Sequence, residues 1–345
     1  MSDEDTIIDT VKNNKRVVVG ISIVILLLIG SIVFISTDET VEPDDWVAFN
    51  EDQEQYYDSI NTAVEETNEG DTVIISQGEY SETFSVATDG VTIKGEEIEN
   101  GQYDTTFNYE DVDFEYSEDR RTLNQMVYDN PEIVETENVA PFEVSGDNVT
   151  IQNIHLEGEV ESYSTDGYAV FVGGDNATLS ITTNNSNRLI IGAIKSENLT
   201  ITDSYIRSNV IIYESDGIQI EDSEFGNTNR GQMDFIIAAT NDVTLTGNKF
   251  DLYDEQINTR LHLQPNVPNR ELDNVVQEIN FDTYTFTNNE FNIDHIVLCS
   301  QTNPNVNPPT DCQGQVNVDN NTSDRGITIS APSNNFPSDN NYWNP

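Results

Sequence analysis

Residues Asp147–Leu156 read Asp-Asn-Val-Thr-Ile-Gln-Asn-Ile-His-Leu, and this phrase decides the fold. Apolar and polar residues alternate from Val149 to Gln152, a pattern typical of a strand with one buried face. Asn153 then supplies a corner, because asparagine tolerates a positive φ better than most residues do. Leu156, three places later, is expected to point back into the core from the next side of a coil.

The phrase recurs along the chain at intervals of a few tens of residues. The other copies are Glu197–Asp203 with Ile206, Asp216–Asp222 with Phe225, Asn241–Gly247 with Phe250, Thr283–Asn288 with Phe291, and the weaker Asn176–Ser180. One such unit cannot bury its apolar face alone, so we expect the units to stack as the coils of a parallel β-helix. The alternative is an antiparallel β-sandwich, but that fold gives no reason for one phrase to recur in the same phase.

The chain has 345 residues, of which 63 are acidic and 14 are basic, and its formal net charge is −49. Such a surface repels nucleic acid, so nucleic-acid binding is excluded. The acids are spread through every coil, which favours a folded protein whose self-repulsion is screened by concentrated salt. In its acid excess, scarce lysine and abundant Thr, Asn and Asp, the sequence resembles proteins of halophilic archaea and their viruses.

The uncharged segment 17–35 predicts one transmembrane helix, because nineteen residues at about 1.5 Å each span roughly the hydrocarbon core. Basic residues precede this segment and acidic residues follow it. The positive-inside rule therefore places residues 1–16 in the cytoplasm or inside a virion, and the rest of the chain outside. The alternative is a cleaved signal peptide, although no small-x-small cleavage site follows the segment. Residues 36–57 read as an acidic spacer.

The order of elements between residues 58 and 95 carries a family resemblance. The elements are a short helix that Asp58-Ser59 can cap, with Ile60, Ala63 and Val64 on one face, the strand Asp71–Ile75, the turn Ser76–Tyr80, and the strands Thr83–Val86 and Asp89–Gly95. In this order the sequence resembles the start of the pectin-lyase-like right-handed β-helices. The resemblance implies an all-β, right-handed parallel β-helix over residues 58–335, with an N-terminal capping helix over its open end and a tail over residues 336–345.

Three stretches interrupt the repeat and are expected to leave the stack of coils: residues 96–141, 252–282 and 299–312. Cys299 and Cys312 flank the last one, and outside a membrane they are expected to form a disulfide. Six Asn-x-Ser/Thr sequons predict N-glycosylation sites, although a chain this rich in Asn and Thr produces several by chance. The sequons begin at Asn148, Asn176, Asn184, Asn198, Asn320 and Asn321.

Asp203 and Asp222 occupy the same corner of successive copies, so we expect their side chains about one strand spacing apart. Such a pair could bind Ca²⁺ or raise the pKa of one carboxylate for acid–base catalysis. Lyases and hydrolases of the superfamily use acidic clusters with a basic residue, and the resemblance therefore implies candidate roles for Asp203, Asp222, Glu221 and Arg207. Turn geometry alone also explains an aspartate at this corner, and neither Gly-Asp-Asp nor Gly-His-Gly, motifs of the superfamily's enzymes, occurs in the sequence.

No other cofactor is predicted, because the three histidines are isolated in the sequence. Paired outward threonines resemble the faces of ice-binding β-solenoids, but threonine suits strands in general.

The sequence predicts a membrane-anchored extracellular β-helix without assigning an activity, since this scaffold hosts many functions. The leading hypothesis is a non-enzymatic surface protein or viral spike that recognises a glycan, an envelope component or a protein partner. One alternative is a polysaccharide lyase or glycoside hydrolase that acts through Asp203 and Asp222. The other is an architectural protein that associates with copies of itself.

Overall fold

Three sheets, built almost entirely from parallel strands, run along the protein and enclose one apolar core. The computed structural model describes residues 46–98, 102–109, 140–158, 168–183, 190–213, 215–226, 235–238, 240–251, 260–264, 279–293, 295–298, 312–323, 328–330 and 343–344. All of them belong to one compact unit, Asp45–Pro345. The predicted parallel β-helix is therefore the observed architecture.

The helix in the described part of the chain is α1 (Ile60–Glu65). The strands are β1 (Ala48–Asn50), β2 (Gln55–Tyr57), β3 (Thr72–Ile75), β4 (Gly78–Tyr80), β5 (Phe84–Val86), β6 (Thr92–Gly95), β7 (Glu97–Ile98), β8 (Gln102–Tyr103), β9 (Thr105–Asn108), β10 (Phe142–Val144), β11 (Thr150–Glu157), β12 (Val170–Val172), β13 (Thr178–Thr183), β14 (Ile190–Ile194), β15 (Thr200–Thr202), β16 (Tyr205–Ile206), β17 (Asn209–Tyr213), β18 (Ile218–Glu221), β19 (Glu224–Gly226), β20 (Phe235–Ala238), β21 (Asp242–Thr246), β22 (Lys249–Asp251), β23 (Arg260–Gln264), β24 (Ile279–Thr287), β25 (Glu290–Asn292), β26 (His295–Leu298), β27 (Cys312–Asp319), β28 (Asn321–Thr322), β29 (Thr328–Ser330) and β30 (Trp343–Asn344).

Each coil contributes one strand segment to each sheet. The first sheet stacks β3, β6, β11, β13, β15, β18, β21, β24 and β27. The second stacks β4, β9, the ends of β11 and β13, β16, β19, β22, β25, β28 and β30. The third stacks β5, β10, β12, β14, β17, β20, β23, β26 and β29.

Inward side chains form continuous columns through the core, because the register pairs equivalent residues of successive coils. In the first sheet, for example, Ile151 pairs with Leu179 and Leu179 pairs with Ile201, and all three are buried. In the second sheet the rings of Phe225, Phe250 and Phe291 stack with centroids 5.0 Å apart. The predicted apolar residues after the corner are therefore core residues.

The corner between the first and second sheets requires a left-handed backbone in coil after coil. The residues at this position have φ between +47° and +70°: Asn153, Asp203, Asp222, Gly247, Asn288 and Asn320. Only glycine adopts this conformation without cost, and Asn and Asp are the other residues that tolerate it. The predicted role of this position as a turn is confirmed.

The third sheet differs from the other two because both of its faces are buried in the middle coils. Outward-pointing side chains there form a second apolar cluster, which contains Ala140, Tyr168, Phe171, Ile190, Ile194, Ile211 and Tyr213. Tyr168 packs over Gly192, where an added Cβ would collide with the ring. This layer was not predicted from the sequence.

The N-terminal end of the solenoid differs from the prediction of a spacer over residues 36–57. Strands β1 and β2 form an antiparallel hairpin, and β1 also pairs antiparallel with β3. Ala48 and Tyr57 are buried in the main core, so residues 48–57 belong to the solenoid and the prediction of a spacer up to residue 57 was wrong there. Residues 36–45 lie outside the described residues.

The predicted helix is present as α1, and Ser59 Oγ accepts a hydrogen bond from the Thr62 backbone N–H. Its buried residues are the predicted ones, Ile60, Ala63 and Val64, and it packs against β1, β2, β3 and β5.

Two of the predicted excursions are shorter than expected, because strands of the stack lie within the predicted segments. Strand β9 lies inside the segment 96–141 yet pairs with β4 and β11, and β23 lies inside the segment 252–282 yet belongs to the third sheet. Residues 110–139, 252–259 and 265–278 lie outside the described part of the chain.

The predicted transmembrane helix at 17–35 and the tail at 1–16 also lie outside the residues that the structure describes. Within those residues, no helix has the length and hydropathy needed to span a membrane.

Candidate functional site

The structure places the predicted carboxylates in neighbouring coils, on the exposed surface. Thr202 pairs with Glu221, so Asp203 and Asp222 follow at equivalent corner positions, and both are exposed. Asp203 Oδ2 accepts a hydrogen bond of 3.3 Å from Thr202 Oγ1. The Asp222 carboxylate lies over Gly247 of the following coil, where a Cβ would collide with it. The corner therefore has the features of a turn and lacks those of a buried acid pair.

Glu221 and Arg207 do not complete a cluster at this corner. Glu221 points outward from the first sheet, whereas Arg207 follows β16 of the second sheet. The Arg207 guanidinium carbon lies 5.0 Å from the centroid of the Tyr205 ring, a cation–π contact. Ca²⁺ prefers six to eight oxygen ligands, and the described ranges contain no group of three or more His, Cys, Asp or Glu arranged to hold a metal.

Several sequons are explained by the coil geometry. Asn148, Asn176 and Asn198 share the corner before the first sheet, each with φ between +54° and +58°, and each is followed two residues later by an outward threonine. Asn198 Nδ2 donates to Asn176 Oδ1 at 3.0 Å. The left-handed corner selects asparagine and the strand selects threonine, so a sequon arises without any need for a glycan.

The sequon at Asn321 is inaccessible in the folded protein. Its side chain is 1% exposed, and Nδ2 donates to the carbonyls of Phe286 at 2.7 Å and Asp319 at 3.1 Å. Asn320 is exposed, and its Nδ2 donates to Asn288 Oδ1 at 2.6 Å. Asn184 lies outside the described residues, and so does Cys299, so the disulfide with Cys312 at the start of β27 stays a prediction.

The corner before the first sheet, which Asn148, Asn176 and Asn198 share, also aligns carboxylates of successive coils. We call this row of carboxylates the acidic column. The carboxylate of Asp89 accepts the backbone N–H of Asp147, that of Asp147 accepts the N–H of Asp175, and that of Asp175 accepts the N–H of Glu197, at 2.8 to 2.9 Å. Each acid thus holds the next coil in register. Because neighbouring strands lie about 4.8 Å apart, these like charges also repel one another.

The outward side of the first sheet, which we call the first face, carries two columns of side chains. We call one the threonine column: it runs Thr72, Thr92, Thr150, Thr178, Thr200, Gln219, Thr244, Thr285, Asn317. It contains no charged residue over nine coils. The second column runs Ile74, Lys94, Gln152, Ser180, Thr202, Glu221, Thr246, Thr287, Asp319. In the three coils from Thr150 to Thr202 both columns are uncharged.

The sequence predicts paired threonines on an outer strand face, and the register between distant coils, which joins them into columns, comes from the structure. The sheet places hydroxyl and amide groups at intervals of about 4.8 Å along the solenoid axis. Most of these side chains are half-buried. In the coils from Thr150 to Thr202 the first face is therefore an uncharged, hydrogen-bonding surface on a strongly acidic protein.

The second face, formed by the outward side of the second sheet, is mixed in charge. His155 Nδ1 lies 2.8 Å from Thr182 Oγ1, and His155 Nε2 lies 3.8 Å from Glu157 Oε2. Burial lowers the pKa of His155, and the charge of Glu157 opposes that shift. Lys249 Nζ pairs with Glu224 Oε1 at 3.3 Å. His155 is thus not isolated in the fold: Glu157 lies two residues away on the same side of the strand, whereas Thr182 comes from the next coil.

The structure is similar to several solved structures at low sequence identity. The pectin methylesterase of Aspergillus niger aligns with a TM-score of 0.39 and 14% identity, over 84% of this chain and 86% of that chain. Escherichia coli ybhc aligns with a TM-score of 0.45 and 15% identity, over 77% and 81%. Pectin methylesterase PemA from Erwinia chrysanthemi aligns with a TM-score of 0.39 and 10% identity, over 79% and 76%.

These likenesses concern the fold alone. No protein-family model and no curated protein matches the sequence. At these identities no functional residue of those proteins is assigned to this chain.

Proposed function

We propose that this protein is a non-catalytic surface protein that binds an extended, uncharged polysaccharide along the first face. The observation that carries the proposal is the threonine column, which lacks any charged residue over nine coils of a chain with net charge −49. Regularly spaced hydroxyl and amide groups match a polymer that itself presents hydroxyls at regular intervals. A rigid β-helix holds them in place before binding, which lowers the ordering cost.

The charge of the protein sets the class of ligand. A net charge of −49 disfavours polyanions at low salt, and the acidic column and the corner carboxylates flank the first face on both sides. A neutral polysaccharide makes hydrogen bonds without meeting this repulsion. Uronate polymers are therefore expected to bind more weakly than neutral ones.

The proposal includes an anchored, extracytoplasmic location, with residues 17–35 as the membrane helix and Cys299–Cys312 as a disulfide. It also includes right-handed winding, with α1 acting as the cap of the first coil. Buried Ile60 and Val64 support that role, because they add apolar surface at the start of the core. Self-association and a protein partner remain secondary hypotheses.

A polysaccharide binding assay with the full chain in molar KCl tests the proposal. Affinity electrophoresis through gels that contain neutral β-glucan, xylan or polygalacturonate should show retardation by a neutral polymer. The double variant Thr178→Glu/Thr200→Glu puts two carboxylates on the first face and should abolish the retardation. The matched control Thr106→Glu/Thr322→Glu makes the same change on the second face and should behave like the wild type.

The enzymatic alternative is tested with the same polymers. If the wild type cleaves or de-esterifies one of them and Asp222→Asn removes that turnover while the protein stays folded, the corner is catalytic and the proposal is wrong. Retardation that is unchanged in the first-face variant would also overturn it.

A further inference from the structure

Three aromatic side chains gather at the N-terminal end of the first face. Phe49 and Tyr56 stack with ring centroids 4.4 Å apart and an interplanar angle of 29°. Trp46 lies edge-to-face with both, at 6.4 Å from Phe49 and 5.8 Å from Tyr56. All three are only half-buried, unlike the rings of the core. We call this group the aromatic end.

The hairpin explains why these rings lie on the first face. Phe49 pairs with Tyr56 across β1 and β2, and Phe49 also pairs with Ile74 of β3. Ile74 begins the second column, so the aromatic end continues that column by two further strands. Neighbouring Ala48 and Tyr57 point the other way, into the core. Period-two alternation thus forces the rings outward.

A buried polar network holds the hairpin rigid. Asn50 Nδ2 donates to Asp71 Oδ2 at 2.9 Å, and Gln53 Nε2 donates to the same oxygen at 2.6 Å. Asn50 Oδ1 accepts the backbone N–H groups of Asp52 and Gln53, both at 3.1 Å. These bonds fix the turn between the strands, so the rings are positioned before any ligand arrives.

The surrounding charges decide which ligand this surface fits. The turn of the hairpin exposes Glu51, Asp52 and Glu54, which repel an anionic membrane. A second copy of the chain brings another −49 charges to the contact. A pyranose ring has an apolar C–H face that packs on an aromatic ring and hydroxyls that reach polar neighbours. An uncharged sugar satisfies both the rings and the electrostatic field.

We propose that Trp46, Phe49 and Tyr56 form a stacking subsite that binds the end of a neutral polysaccharide chain lying along the first face. This inference rests on the proposed function and adds the place where one end of the polysaccharide binds. The sugar at the aromatic end contributes apolar contact, and the following sugars hydrogen-bond to the columns.

The chain offers a direct reporter, because it contains two tryptophans, Trp46 and Trp343. The variant Trp343→Phe leaves Trp46 as the only indole and does not alter the hairpin. Acrylamide quenching of its fluorescence is measured in molar KCl, with and without saturating soluble β-glucan or xylan, whichever polymer retards the wild type. We expect the quenching constant to fall at least twofold when the polymer is bound.

A second measurement uses Phe49→Leu/Tyr56→Leu, with Tyr205→Leu as the control for an aromatic ring on the second face. The double variant should bind the polymer at least fivefold more weakly, and the control should bind as the wild type does. If the polymer binds and Thr178→Glu/Thr200→Glu abolishes binding, but Trp46 quenching and the double variant are unchanged, the subsite is wrong and the proposed function stands. If no neutral polymer binds the wild type, the proposed function itself fails.

Discussion

Replacing Asn289 by alanine should destabilise the solenoid, because this side chain bridges three coils in the buried interior. Asn289 is 1% exposed. Its Nδ2 donates to the Leu245 carbonyl at 2.8 Å and to Asn321 Oδ1 at 2.9 Å, and its Oδ1 accepts the Asn248 backbone N–H at 2.9 Å. Alanine removes the donor to the Leu245 carbonyl and the acceptor for the Asn248 N–H. The apolar core around it offers these two groups no other polar partner.

The magnitude follows from those two groups. A buried backbone group that loses its partner costs about 1–3 kcal/mol, so two of them cost about 2–6 kcal/mol. With an unfolding entropy of about 2.1 cal/mol/K per residue, the melting temperature of this 345-residue chain should fall by about 3–8 °C. Serine should cost roughly half as much, because Ser223 occupies the equivalent position two coils earlier and its Oγ accepts the backbone N–H of Ser204 at 3.1 Å.

The assay is equilibrium denaturation of Asn289→Ala, Asn289→Ser and the surface control Gln219→Ala, all at one salt concentration. Gln219 is exposed on the first face, so its truncation should change stability by less than about 0.5 kcal/mol. Equal stabilities of Asn289→Ala and Gln219→Ala would refute the reasoning. So would a serine variant as unstable as the alanine variant, since it would show that the shared acceptor role is not what matters.

Substitutions at three further positions test the corners and the second face. Asp222→Ala should lower stability by about 1 kcal/mol and Asp222→Gly should be nearly neutral, because φ is +47° there; a denaturation series with the reverse order would contradict the turn role. Asp175→Asn keeps the acceptor for the Glu197 N–H and removes one charge from the acidic column. The variant should therefore be more stable than the wild type by up to about 1 kcal/mol at ~0.1 M salt and equally stable at molar salt. A gain in stability that does not depend on salt would refute this. Burial lowers the pKa of His155 in the folded state. The unfolded chain therefore binds more protons than the folded one as the pH falls below 6.5, and the stability of the protein decreases there. His155→Gln should flatten that part of the pH–stability curve, and an unchanged curve would count against this effect.

The repeat of the first sheet could be predicted from the sequence because each of its strands has one solvent-facing side and one buried side. Alternation at Val149–Ile151 and a residue that tolerates positive φ at Asn153 are both local signals, and the structure confirms them. Leu156 is buried where its spacing after the corner placed it. The helix capped by Ser59 was likewise predictable, because its buried face and its cap are encoded within six residues.

The third sheet could not be predicted in the same way. Its strands read as plain apolar runs, such as Val170–Val172 and Ile190–Ile194, because both of their faces are buried. A run without alternation does not distinguish a strand from a buried helix segment. The hairpin at 48–57 was missed for a different reason: three-residue strands joined by an acidic turn carry too little periodicity to separate them from a spacer.

The candidate site was only partly visible in the sequence. The corner position of Asp203 and Asp222 was predicted correctly, but the direction of each carboxylate depends on neighbours such as Gly247. The first face depends on the register between residues as distant as Thr200 and Thr285, which the sequence does not fix. The sequence therefore points to the acids as the candidate site, whereas the fold points to the uncharged threonine column beside them.

A crystal structure of the protein with a bound neutral oligosaccharide tests the central claim most directly. We predict a sugar chain that lies along the threonine column from the aromatic end to Thr200, with hydroxyls bonded to Gln152 and Ser180 of the second column and the terminal ring stacked on Trp46. A sugar held between Asp203 and Asp222, with the first face bare, would contradict the account and favour an enzyme.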